Sequence, residues 1–221
     1  AFNTIGDRNV AIGVEALKTF NPSSNTDSYN VAVGHIALKA LTTGTNNTAI
    51  GGQAMEQATT GGNNTALGYG SLNANTTGGD NTAVGKGALD ANTTASFNAA
   101  FGSNALGANT TGDSNTALGV SALTANTTAT NNVAVGTSAL LSNTLGNENT
   151  SVGAFSLDAN TIGSQNTALG KSALSENTTA SFNTAVGRQA LRDNTTASNN
   201  TAVGFDALGA NTTGDENVAV G

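Results

Sequence analysis

The sequence holds no cysteine, no tryptophan, one proline and a single histidine, and only 10% of its residues are charged. Each scarcity excludes something. Without cysteine, the fold stands without disulfides. With seven basic residues against fourteen acidic ones, nothing could neutralise a run of phosphates, so nucleic acid is not an expected partner. No apolar run approaches the roughly 20 residues of a membrane helix, so this segment is not expected to insert into a membrane. The lone histidine, His35, lies at a position that tolerates nearly any residue and reads as a surface side chain. No Ser/His/Asp set, paired carboxylates or metal-ligand cluster recurs, and no lysine follows the glycines at a helix start as a phosphate cradle requires. Neither enzyme activity nor a cofactor is expected.

What is present is one phrase, repeated. Asn opens a unit at Asn30, Asn47, Asn64, Asn81, Asn98, Asn115, Asn132, Asn149, Asn166, Asn183, Asn200 and Asn217, always 17 residues apart. The first unit, Asn9 to Tyr29, is four residues longer. The extra residues accompany Pro22 and read as a loop bulging from one turn, within an irregular stretch at 18–29. The chain is otherwise a single array over 1–221. Within a unit the third position is Ala (once Ser151), the fourth a large apolar residue, the fifth Gly, and the ninth Leu (once Met55). The sixth and seventh take almost anything, as in Lys86-Gly87 and Arg188-Gln189. Low charge and 28 glycines could describe a disordered tract, but disorder does not need a leucine at the same place in every unit.

Helical repeats need apolar residues at i, i+3, i+4 and i+7, which these units lack. "NTAVG" alternates like a strand, with Asn81, Ala83 and Gly85 on one face and Thr82 and Val84 on the other. "GAL" offers a second short strand, and Asn, Thr and Gly supply the turns. The expected fold is all-β: a parallel β-solenoid, or β-roll, of 17-residue coils about 4.8 Å apart, so that a dozen coils span near 60 Å. Stacking accounts for the constant residues. Asn64, Asn81, Asn98 and Asn115 are expected to form an amide ladder along the axis. Gly68, Gly85, Gly102 and Gly119 mark a turn through positive φ or a close backbone approach. Val84, Leu89 and Leu123 are assigned to the coil interior, with a bend near Gly85 aiming both apolar residues of the unit inward. So narrow a core, with the small residues Ala83 and Gly85 on one face, points to lateral association of chains.

The phrases "NTAVGKGAL", "NVAVGTSAL" and "NTALGKSAL" resemble the YadA-type head repeats of trimeric autotransporter adhesins, whose core runs N-S-x-A-I-G-x-x-A. Similar repeats occur in phage tail fibres. The resemblance covers Asn9 to Gly221 and implies a left-handed, trimeric β-roll: an extracellular fibre or adhesin shaft at a cell surface or on a virion. The partners it implies are further copies of the chain, as homotrimer or filament, and a cell-surface or glycan receptor. The unit here is longer than the usual head repeat, and no stalk, neck or anchoring barrel accompanies it.

Other chemistries remain as alternatives. Acidic residues such as Asp80, Asp113, Asp215 and Glu216 gather in the turn before the next Asn, but Phe97, Ser114 and Gln165 interrupt the column that a calcium solenoid would need. The "NTT" at Asn75, Asn92, Asn109, Asn126, Asn177, Asn194 and Asn211 is formally a glycosylation sequon, but reads first as a turn-forming Asn with β-branched Thr after it. Ice binding would want two threonines per strand spaced i and i+2, whereas Thr76 and Thr77 are adjacent and Leu145 and Ile162 replace the second in two units. The chain begins inside a unit ("AFNTIGDR") and stops just after a strand, without Met or signal pattern. That reads as a mature or partial product whose open edges continue into further chain or stack end to end as a filament.

Overall fold

A computed structural model of the chain describes residues 6–22 and 26–221. The opening residues 1–5 of the "AFNTIGDR" stretch, and residues 23–25 of the irregular loop, lie outside the described residues. The chain divides into two compact units, Ala1–Thr111 and Gly112–Gly221. Both are parallel β-solenoids of 17-residue coils, and no helix occurs among the described residues.

The first unit carries β1 (Gly6–Asp7), β2 (Val10–Ile12), β3 (Thr26–Asp27), β4 (Val31–Val33), β5 (Thr48–Ile50), β6 (Thr65–Leu67), β7 (Thr82–Val84) and β8 (Ala99–Phe101). β2 and β4 to β8 pair in parallel in chain order, each residue opposite its equivalent one repeat later, as Ala66 is opposite Ala83. The second unit carries β9 (Thr116–Leu118), β10 (Val133–Val135), β11 (Thr150–Val152), β12 (Thr167–Leu169), β13 (Thr184–Val186), β14 (Thr201–Val203) and β15 (Val218–Val220), paired in the same way. The four-residue insertion is more than a bulge. Its β3 pairs with β1, Arg8 bridges to Asp27, and the Arg8 guanidinium lies 5.4 Å from the Tyr29 ring centre.

Each 17-residue coil has one strand rather than two. The "GAL" segment is a turn, because its seventh and ninth residues are left-handed: φ is 63° at Gly87 and 52° at Leu89. A left-handed leucine costs about 1–2 kcal/mol. Two things offset it. The Leu89 N–H donates to the Ala105 carbonyl of the next coil at 3.0 Å, and its side chain is fully buried, a gain of roughly 1.5–3 kcal/mol.

The interior is narrow and made mostly of small residues. Around one coil the buried side chains are Asn81, Ala83, Ala88, Leu89, Asn92 and Ala95, each 0% exposed. The grouping of alternate residues in the strand holds, but the assignment of faces reverses. Val84 points outward, while Ala83 fills the interior. The column facing the turn holds Ala, and once Ser, so the larger side chain of the pair goes outside. Ala83 therefore serves the coil's own narrow core and presents nothing to a neighbouring chain. Where β11 places Ser151 in this column, Ser156 stands at the eighth position. Ser151 donates to the Ser156 carbonyl at 2.8 Å and Ser156 to the Gly153 carbonyl at 2.8 Å, so the polar swap is satisfied locally.

Candidate interaction surfaces

The invariant residues are consumed by the stack. Asn64, Asn81 and Asn98 in the first unit and Asn115 in the second are all buried. The amides bond along the axis, with Asn81 Nδ2 3.1 Å and Asn98 Nδ2 3.3 Å from the preceding Oδ1. The same oxygen accepts the next Asn backbone N–H, 3.0 Å from Asn81 N to Asn64 Oδ1. The Asn81 amide also reaches across the coil to the Ala95 carbonyl at 2.8 Å. One asparagine thus ties three segments together, which is why neither Asp nor Gln replaces it: the first lacks the donor, the second is too long.

A second ladder was not legible as one. The asparagines of "NTT", all but the half-buried Asn211, are buried, and they are linked, as Asn92 is to Asn75 at 2.8 Å and Asn194 to Asn177 at 3.2 Å. Each also closes its own turn, as Asn92 Nδ2 does on the Ala95 carbonyl at 3.0 Å. Apart from the half-buried Asn211, their side chains are sunk in the core of the folded chain. The Thr beside them is spent too, as Thr76 Oγ1 donates to the Thr93 carbonyl at 2.9 Å and Thr178 Oγ1 to the Thr195 carbonyl at 3.1 Å. The second threonine of the pair, such as Thr77, is exposed, and in the last coil so is the first, Thr212.

The fifth-position glycines combine both expected reasons. Gly68, Gly85, Gly102 and Gly119 have φ between 136° and 145°. A Cβ on Gly68, Gly85 or Gly119 would lie 2.4–2.5 Å from the next coil's carbonyl oxygen. No side chain fits. Leu89 and Leu123 are fully buried, as assigned; Val84 is the exception already noted.

With the interior full, the large apolar residues line the outside. The outer face of the sheet consists of the second and fourth positions of each unit. In the first unit these run from Val10 and Ile12 to Ala99 and Phe101, in the second from Thr116 and Leu118 to Val218 and Val220. No charged residue occurs among them. Leu67, Leu118 and Leu169 are 46%, 50% and 47% exposed. All the charge lies on the remaining surface. His35 is exposed there, as expected of a free position, whereas Ile36 beside it is buried.

Some of the charged residues of that surface form short-range pairs. Lys18 and Lys39 reach the Glu15 carboxylate at 2.6 and 3.1 Å and hold it below the usual carboxylate range, while Arg192 does the same to Asp193 at 2.7 Å. Two acids go the other way. Burial pushes Asp90 and Asp158 up, and Glu176 adds to the effect at Asp158, whose Oδ1 has no hydrogen-bond partner among the described residues. Among the described residues no three His, Cys, Asp or Glu side chains come together as a metal site. No helix is long and apolar enough to cross a membrane among those residues. No protein-family model and no curated protein matches the chain.

Proposed function

We propose that the chain is the repetitive shaft or head of an extracellular fibre, a lateral homotrimer carried at a cell surface or on a virion for reach and attachment. The observation that supports this reading is the uncharged outer face of the sheet. Parallel sheets are ordinarily covered on both faces. Here the inner face is covered by the coil's own turns and the outer one is bare, presenting Val, Ile, Leu and Phe beside a column of Thr and Val. In the first unit, six strands about 4.8 Å apart and two columns about 7 Å apart make a patch of roughly 200 Å². The second unit presents a similar one. The YadA-like phrases, whose family assembles as trimers, support the same stoichiometry.

Charging the face tests it. Leu169→Lys with Val186→Lys places two lysines in adjacent strands where only apolar neighbours stand, leaving the interior untouched. Sedimentation velocity should show dissociation, with an unchanged β-type circular dichroism spectrum. Association as strong as the parent's would overturn the proposal. A second reading has one observation in its favour: Thr82 and Val84 stand i and i+2 on one face of a regular sheet, an arrangement closer to an ice-binding surface than the adjacent threonines are. Thermal hysteresis in dilute solution would favour it over the fibre.

A further inference from the structure

The seventh position of each coil carries a side chain from Gln53 through Asp206, except at two consecutive coils, where it is Gly70 and Gly87. Their backbone does not demand glycine. Their φ values, 65° and 63°, are those at which the same position elsewhere holds Gln53 at 61°, Asn104 at 57° and Phe155 at 57°. What the two glycines do is leave a notch of about 310 Å³ in the first unit, at the lower end of the roughly 300–1,000 Å³ typical of small-molecule sites.

The notch is lined with groups that suit one ligand class. The sixth-position column supplies Tyr69 and Lys86 as one wall, and the tenth supplies Glu56, Asn73 and Asp90 as the other. Gln53 and Asn104 close the ends. Tyr69 is 57% exposed, with its ring packed over Gly52, where a Cβ would stand 3.4 Å from the ring carbon Cδ2. Asn73 is oriented by the Gln53 carbonyl, to which it donates at 3.0 Å, with the Glu56 carboxylate 3.5 Å away. The wall thus pairs an aromatic plate with carboxylate, amide and ammonium groups at close spacing. Partial desolvation raises the Asp90 pKa, while its side chain stays open to the notch, where it can accept from a ligand hydroxyl.

We propose that this notch binds a single saccharide unit, free or at the end of a glycan, with the C–H face of the ring on Tyr69 and its hydroxyls shared among Asp90, Glu56, Asn73 and Lys86. Carboxylates accept from adjacent hydroxyls, the ammonium and amide donate to them, and an aromatic plate takes the apolar ring face. An apolar ligand would leave these polar groups unpaired. An anion would face two carboxylates.

The inference deepens the attachment role and rests on it, but its test reads the notch alone. Saturation-transfer NMR on the full chain would use methyl glycosides of glucose, galactose, mannose and N-acetylglucosamine up to about 50 mM, where a millimolar site is saturated. At least one sugar should receive saturation from the protein. Tyr69→Ala and Gly70→Gln should each weaken it at least tenfold. The second is the cleaner variant, because the neighbouring coil already holds Gln at that φ. Circular dichroism and the sedimentation coefficient should stay as in the parent. No transfer to any of the four sugars, or transfer unaffected by Gly70→Gln, would overturn the notch while leaving the fibre reading to its own test. If the lysine pair abolishes association but sugar transfer persists, the notch stands.

Discussion

Replacing Asn149 by Ala isolates the asparagine ladder's contribution in the second unit. Its Oδ1 accepts two bonds from Asn166, from the backbone N–H at 3.0 Å and the side-chain Nδ2 at 3.2 Å, and its Nδ2 donates to the Gly163 carbonyl at 2.8 Å. The losses are unequal. Gly163 keeps a donor in Asn160 at 2.9 Å, and Asn166 Nδ2 keeps the Ala180 carbonyl at 2.8 Å. The Asn166 backbone N–H loses the acceptor it had and stays buried. An orphaned buried donor costs about 1–3 kcal/mol, and the Gly163 bond adds about 1. The expected loss is therefore roughly 2–4 kcal/mol, read as a lowered urea midpoint with unchanged slope. Thr179→Ala, at an exposed position, is the control and should shift stability by less than about 0.5 kcal/mol. Amide hydrogen exchange should quicken most at Asn166. If Asn149→Ala matched the control, the ladder would be a consequence of stacking rather than a cause of it.

Gly153→Ala puts a methyl 2.5 Å from the Gly170 carbonyl oxygen at φ 139°, and should cost roughly 3 kcal/mol or more by urea denaturation. Leu123→Asp places an unpaired charge in the core and should abolish cooperative unfolding, while Ser121→Asp, at a position where Asp206 already stands with φ 55°, should be tolerated in the same assay. Asp158→Asn should raise the melting temperature at neutral pH. Burial raises the folded-state pKa above the ordinary 3.8, so the native state binds this proton more tightly than the unfolded chain does. The penalty is therefore present at neutral pH and fades as pH falls through the folded value. The gap between the melting curves of parent and variant should narrow toward pH 4, and a gap independent of pH would refute this.

Much of this architecture was legible because a repeat in register turns every constant residue into a contact with its own copy. The spacing of Asn64, Asn81 and Asn98 gave the ladder directly, and Gly85 gave both the turn and the close approach. The face of the strand was not legible. Hydrophobicity alone puts Val84 inside and Ala83 aside, but interior width decides the matter, and width depends on where the rest of the coil returns. The "NTT" asparagines were legible as turn formers, but turn formation and axial pairing use the same residue, and only the fold reveals that Asn92 does both. The second strand failed because alternation in "GAL" says nothing about the sign of φ at Leu89. The notch at Gly70 and Gly87 was visible as two glycines at a free position, but not as a cavity until the sixth and tenth columns were known to flank it.

Under the proposed function, the large apolar residues that face outward are covered by the sheets of neighbouring chains. Sedimentation equilibrium of the chain across micromolar concentrations reads this directly. Three times the 21.6 kDa of one chain is the predicted mass. A single chain at every concentration, with the β-type spectrum intact, would contradict it.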